Sequence, residues 1–128
     1  MQGLSDAEKK RLGRGGENLA ADFLMAKGYR IRERNYRCRL GEVDLIIERK
    51  GEISFVEVKT RRSIDEVSPR ELVPYGKQVH ISKVAQHYIA VKNLHDTAAD
   101  FAVLIVDVSQ GAPRFEFIEG AFPLVWGY

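Results

Sequence analysis

Residues 41–61, GEVDLIIERKGEISFVEVKTR, carry the strongest structural signal in this chain. Two segments rich in Val, Leu, Ile and Phe, 42–49 and 52–60, flank the dipeptide Lys50-Gly51. β-branched and aromatic residues favour strands, and a short glycine-containing link between two such runs is typical of a tight turn. The stretch therefore predicts a β-hairpin.

The register of this hairpin places charged side chains on one face. Asp44 is expected opposite Glu57, and Lys59 follows two positions along the same strand. Their neighbours on that face, Ile46 and Phe55, are apolar, and opposed carboxylates repel each other. A hard divalent cation would offset the repulsion, and a lysine beside it is a proton-transfer group. The alternative is a set of solvated charges on an open face.

Composition limits the class of protein. The chain has 128 residues, 45% of them hydrophobic, which predicts one folded domain over residues 1–128. Within it, residues 1–12 are expected to be an extension, either flexible or helical. A single cysteine, Cys38, excludes an internal disulfide and a thiolate metal cage. The N-terminus lacks a signal-peptide pattern, and the longest apolar run, 101–106, is too short to span a bilayer. These features predict a cytoplasmic protein without a membrane partner.

Outward from the hairpin, hydrophobic periodicity predicts two helices and three further strands. A helix is expected over 16–27 and another over 77–94, with a loop at 61–76 between the hairpin and the second helix. The three glycines at 13, 15 and 16 argue against a helix that continues upstream. Further strands are expected at 29–34, 101–108 and 114–118. The order α-β-β-β-α-β-β predicts an α/β or α+β sandwich around a mixed sheet.

Charge is unevenly distributed along the chain. Residues 1–92 carry 19 basic and 13 acidic side chains, whereas residues 93–128 carry one and five. Within 27–39, six basic residues are opposed in sequence only by Glu33, and Arg61 and Arg62 follow the hairpin. Phosphate contact along a nucleic-acid backbone is the functional interpretation, and a solvated strand edge is the alternative.

Several motifs in a fixed order carry a resemblance to a known family. They are Gly13-Arg14-x-Gly16-Glu17, Asn35-Tyr36-Arg37-Cys38-Arg39, Asp44, Glu57-x-Lys59 and Lys77-Gln78. In this set the chain resembles the bacterial YraN-like family of the PD-(D/E)xK nuclease superfamily, and it is similar to archaeal Holliday junction resolvases. The resemblance implies a restriction-endonuclease-like sandwich, with helices flanking a central mixed sheet of about five strands.

The resemblance also implies roles for single residues. Asp44, Glu57 and the Val58 carbonyl would bind Mg²⁺ or Mn²⁺, Lys59 would orient or deprotonate the attacking water, and Glu17 would complete the acidic cluster. Taken with the basic residues above, it predicts nucleic-acid contacts at Arg14, Arg37, Arg39, Arg61, Arg62, Lys77 and Gln78. The implied activity is that of a metal-dependent DNA endonuclease, selective for branched or structured DNA rather than for sequence. A homodimer would match a symmetric junction.

One departure from the family pattern keeps other functions open. Where the family commonly carries an acid in the late strand, this chain has Ala102. Asp100, two residues earlier and expected on the same face, is predicted to substitute in part. The alternatives are a nucleic-acid-binding module with little or no catalysis, and a protein-interaction domain.

Overall fold

The structure is a computed structural model that describes residues 6–63 and 73–123, without the side chains of residues 6–14. The predicted contact of Arg14 therefore concerns a side chain outside the described residues. The helices and strands follow the predicted order: α1 (Asp6–Ala26), β1 (Arg30–Cys38), β2 (Gly41–Arg49), β3 (Glu52–Arg61), α2 (Tyr75–Val91), β4 (Ala99–Asp107) and β5 (Arg114–Ile118). The predicted mixed α/β fold is confirmed.

The five strands form one mixed sheet in the order β1-β2-β3-β4-β5. β3 and β4 are parallel, and the other neighbouring strands are antiparallel. The parallel pair needs a crossover connection, which contains α2. The predicted hairpin register is confirmed, since Ile46 pairs with Phe55 and Arg49 with Glu52.

Each face of the sheet buries its own hydrophobic cluster. On the α2 face, Phe55 and Tyr88 belong to one cluster, and on the α1 face Leu24 and Leu104 belong to the other. β4 is buried on both faces, because residues 101–106 are all inaccessible or nearly so. Accessible functional side chains are therefore expected at the ends of the strands, beyond the two hydrophobic clusters.

α1 runs unbroken through its glycines, so the prediction that they interrupt the helix is wrong. Each glycine costs a helix only about 1 kcal/mol relative to alanine, which packing can outweigh. Gly16 is such a case: a Cβ built there would lie 2.2 Å from Thr60 Oγ1. Glycine at this position lets α1 approach the end of β3, where the charged residues lie.

The remaining differences concern element ends. β1 extends to Cys38, four residues past its predicted end, because it continues to pair with β2 as far as Gly41. α2 begins at Tyr75 after Pro74 and ends at Val91, where Asn93 adopts a left-handed φ of 56°. Neither helix in the described part of the chain is long and apolar enough to cross a membrane.

Candidate active site

The side-chain alternation of β2 breaks at Asp44. Val43 packs into the cluster on the α2 face, whereas Leu45, two residues along, packs into the cluster on the α1 face. In a regular strand, residues two apart share a face. Asp44 therefore lies where the strand changes faces, rather than within either apolar layer.

The neighbouring strand breaks at the matching position. Asn35 has a left-handed φ of 51°, and the residues on its two sides reach opposite faces. Arg34 donates to Asn18 of α1 over 3.4 Å, whereas the Tyr36 ring packs edge-on against Tyr88 of α2 at 5.0 Å. Asparagine tolerates this backbone conformation better than most residues. The two breaks therefore lie side by side in neighbouring strands, between the pairs Arg34–Leu45 and Tyr36–Val43.

Asp44 is held by a backbone donor of β3. The Val58 N–H donates to Asp44 Oδ2 over 2.8 Å. Asp44 directly precedes Leu45, and Val58 lies two residues after its partner Val56. Burial raises the pKa of Asp44, against the lowering effect of the Val58 hydrogen bond and of nearby lysines. Val58 thus enters the site through its N–H, and the ligand role of its carbonyl stays a prediction.

Glu57 is a buried carboxylate with a lysine partner. Its side chain is 4% exposed, and Lys77 Nζ of α2 lies 2.7 Å from Glu57 Oε2. Burial and then the charge of Asp44 raise the pKa of Glu57, although Lys77 opposes both effects. The hairpin has therefore brought two repelling carboxylates together, as predicted, with Lys77 as a counter-charge.

Lys59 and Lys77 lie side by side above these carboxylates. Burial lowers the pKa of Lys59, and contact with the positive charge of Lys77 lowers it further. Burial also acts to lower the pKa of Lys77, but the hydrogen bond and charge of Glu57 outweigh it, so the pKa is raised. The two amines therefore differ: Lys77 is held as a cation, and Lys59 is biased toward the neutral amine.

Glu17 joins the group from the other side of the sheet. Burial, followed by the charge of Asp44, raises the pKa of Glu17, and the nearby Asn35 side chain acts to lower it. All four residues predicted to be catalytic are thus brought together. Sequence reasoning missed the role of Asn35; its only signal is its position in the motif Asn35-Tyr36-Arg37-Cys38-Arg39.

The described residues contain no group of three or more His, Cys, Asp or Glu side chains arranged to hold a metal ion. The site instead offers a buried carboxylate, Glu57, and a half-buried one, Asp44, with Glu17 beyond Asp44. Such a donor set suits a hard cation that keeps most of its waters, as Mg²⁺ does, and not a closed zinc-type cage.

The residues predicted to contact nucleic acid have varied surroundings. Arg37 pairs with Glu42 at 2.9 Å, and Arg61 pairs with Asp107 at 3.4 Å. Gln78 Nε2 donates to the Val73 carbonyl over 2.9 Å, which ties down the start of α2. Arg39 is exposed at the β1–β2 turn, and Arg62 is partly buried. Their contacts with phosphate stay predictions.

The basic stretch of β1 is less positive than its sequence indicates. Arg30 and Arg32 both pair with Glu48 of β2, and Arg32 Nε also donates to the Tyr88 hydroxyl over 2.9 Å. Counting charges along residues 27–39 does not include Glu48, because Glu48 lies in the neighbouring strand. The positive charge of β1 is therefore partly neutralised by β2.

Asp100 does not take the place of the missing acid, so that prediction is wrong. It accepts hydrogen bonds from Ser54 Oγ and from the Gly120 N–H, and it pairs with Ser54. Ser54 lies three residues before Glu57 in β3, so Asp100 is roughly 10 Å from the Glu57 position. Ala102 is fully buried in the cluster on the α1 face. The site consequently has no acid from β4.

A mixed five-stranded sheet, with one helix on each face and with two neighbouring carboxylates and two lysines at the end of its hairpin, defines an α/β protein with a charged candidate active site. The chain belongs to the family described as "Uncharacterised protein family UPF0102", whose model matches residues 16–119. This confirms the predicted YraN-like membership.

Relatives named UPF0102 protein match nearly the whole chain. One from Caldicellulosiruptor bescii is 43% identical over 116 residues, 88% of this chain and 98% of the relative. One from Trichlorobacter lovleyi is 47% identical over 113 residues, 87% of this chain and 89% of the relative. Among solved structures, that of Pyrococcus furiosus SfsA in complex with Ca²⁺ aligns with a TM-score of 0.40 at 14% identity. The alignment covers 88% of this chain but only 64% of that protein.

Proposed function

We propose that this protein is a divalent-metal-dependent nuclease that hydrolyses phosphodiester bonds in DNA. The observation that carries the proposal is the closeness of the half-buried Asp44 to the buried Glu57 at the end of the hairpin, with Lys59 beside them. Burying two carboxylates that repel each other costs stability, which a structural role alone does not explain. Perturbed charges of this kind are common at catalytic sites.

The residues fit a site for Mg²⁺ or Mn²⁺. Asp44 and Glu57 would supply the carboxylates and the Val58 carbonyl a further oxygen, while Glu17 would complete the acidic group. A cation bound there would supply Lewis-acid chemistry to the phosphodiester. The Val58 N–H restricts the Asp44 side chain to one orientation, and this pre-organises a ligand before any cation arrives.

Lys59 is the residue proposed to act on the attacking water. Its lowered pKa increases the fraction of neutral amine near neutral pH, and a neutral amine accepts a proton. We expect the exposed side chains of Arg39 and Lys77 to contact phosphates. Contacts of this kind select the form of the DNA rather than its sequence, and a homodimer would present two such sites to a branched substrate.

Cleavage of a DNA panel tests the proposal. Single-stranded, duplex, flap and four-way DNA are incubated with purified protein and Mg²⁺, Mn²⁺ or a chelator. We expect metal-dependent cleavage of a structured form, abolished by Asp44→Asn and Lys59→Met. Asp22→Asn, at an exposed position of α1, is the matched control and should cut like the parent. Cleavage that survives Asp44→Asn, or no cleavage of any substrate, would refute the proposal.

A nucleic-acid-binding module without catalysis is the second candidate, favoured by the burial of Ala102 where the family carries an acid. In that case gel shifts without metal should show binding that weakens steeply with salt, and no substrate should be cut. If neither DNA nor metal binds, a protein-interaction domain is the remaining alternative.

A further inference from the structure

We infer that Lys77 is an internal counter-ion of Glu57 that a divalent cation must displace, so that metal binding frees the Lys77 ammonium group. The inference rests on the proposed function, because it assigns a regulatory contact to the same site. It concerns a positioning residue rather than one that reacts.

The contact geometry makes Lys77 a direct competitor of a cation. Its Nζ lies 2.7 Å from Glu57 Oε2, an oxygen that would have to face the metal if Glu57 is a ligand. Only 4% of the Glu57 side chain is exposed, and the ammonium occupies one of its two oxygens. Two cations cannot share one oxygen at such distances without strong repulsion.

Lys77 is also able to leave. Its side chain is 43% exposed and belongs to the first turn of α2, so water is available to the ammonium on departure. A long, flexible lysine stem reaches another position without backbone movement. Lys59 lies against it, and the contact between the two amines lowers the pKa of Lys59. A divalent cation in the site would itself repel the Lys77 ammonium.

Asp44 makes the contrast. Its partner is the Val58 N–H, a neutral backbone donor that belongs to β3 and cannot swing away. One carboxylate of the pair is therefore permanently oriented, whereas the other is masked by a removable charge. This asymmetry suggests that Glu57 becomes available only when the Lys77 ammonium leaves, and that the freed ammonium then faces a phosphate-bearing substrate.

Calorimetric titration of Mn²⁺ and Mg²⁺ at pH 8 into four proteins tests the inference. Lys77→Met keeps a side chain of similar length without charge, and we expect it to bind metal about tenfold more tightly, since one charge-assisted hydrogen bond need no longer be broken. Lys77→Arg keeps the charge and should not gain affinity. Lys92→Met removes the same charge at the other end of α2, roughly 22 Å away, and should match the parent.

A second measurement uses the parent alone, so that it holds even if Lys77→Met does not fold. Amine-directed acetylation followed by peptide mass spectrometry compares Lys77 with Lys92, with and without Mn²⁺. We expect acetylation of Lys77 relative to Lys92 to rise several-fold on metal binding, because the amine leaves its carboxylate partner.

The outcomes separate the inference from the proposed function. Equal metal affinity of parent and Lys77→Met, or unchanged acetylation under conditions where metal binds, overturns the inference but leaves the metal site standing. Metal binding by none of the proteins overturns both. Binding that is tighter in Lys77→Met, or detectable in that variant alone, supports the displacement.

Discussion

The Val58 backbone N–H donates a hydrogen bond of 2.8 Å to Asp44 Oδ2, and so ties a carboxylate of β2 to the main chain of β3. The bond lies immediately beyond the last regular pair of the hairpin, at the point where β2 changes faces. It fixes the orientation of the half-buried carboxylate, and it satisfies a backbone donor that would otherwise lack a partner.

Substitution of Asp44 should separate the hydrogen bond from the charge. Asp44→Asn keeps an oxygen acceptor for the Val58 N–H and removes a partly buried charge, whereas Asp44→Ala removes both. We expect Asp44→Ala to be less stable than Asp44→Asn by about 1–3 kcal/mol, the cost of a buried donor without a partner. Urea unfolding in a chelating buffer measures the difference, and equal stabilities would show that the bond contributes nothing.

Stability should depend on pH with opposite sign at two glutamates. Burial raises the pKa of Glu57 above 4.5, so the native state holds a proton that the unfolded state has lost. The free energy of unfolding of the parent relative to Glu57→Gln should therefore fall as pH rises from 4.5 through the raised pKa.

Glu48 provides the contrast, because its hydrogen bond from Arg30 lowers its pKa below 4.5. Its contribution is present above the unfolded-state pKa and is lost as pH falls through the folded one. The free energy of unfolding of the parent relative to Glu48→Gln should rise with pH over that window. Urea titrations between pH 3 and pH 7 test both signs, and slopes of the same sign would contradict the assignment.

Two adjacent glycines of α1 should respond oppositely to alanine. No atom of the described residues lies within 4 Å of a Cβ placed on Gly15, so Gly15→Ala should stabilise the helix by about 0.5–1 kcal/mol. A Cβ on Gly16 would meet Thr60 Oγ1 at 2.2 Å, and Gly16→Ala should destabilise by about 1–3 kcal/mol.

The double variant Gly16→Ala/Thr60→Ala isolates that contact. Removing the hydroxyl should restore part of the lost stability, which a double-mutant cycle detects as a favourable coupling. Additive effects of the two substitutions would show that Gly16 is needed for some other reason.

Asn35 should tolerate glycine better than alanine. Its φ of 51° is accessible to glycine without strain, whereas an alanine there adopts a left-handed conformation at a cost of about 1–2 kcal/mol. Both variants lose the side-chain link to Glu17, so their difference in unfolding free energy reports the backbone alone. If alanine proves as stable as glycine, the strand break does not depend on this conformation.

The sequence predicted the hairpin better than it predicted the environment of the hairpin. The pairing of Ile46 with Phe55 follows from a tight turn and a period of two, which are local properties. The face change at Asp44 is invisible to a strict period of two. It depends on a matching break at Asn35 in another strand.

Errors arose where tertiary contacts outweigh local preference. Three glycines predict the end of a helix, yet α1 continues through them, and Gly16 packs against Thr60. The arginines of β1 read as a positive stretch, yet Glu48 lies across the strand pair and neutralises two of them. In both cases the deciding partner is far along the chain.

The order of elements and the hairpin pairing could be predicted from the chain alone, because turns and alternation are local properties. The same holds for one family pattern, which contains Glu17, Asp44, Glu57 and Lys59, because motif order is a property of the sequence. The partner of each charged side chain in the site depends on the tertiary structure. The parallel crossover brings Lys77 of α2 onto Glu57, and the close approach of α1 brings Glu17 to Asn35. Desolvation and Coulomb interactions depend on distance in space, so the electrostatics of the site appears only in the folded chain.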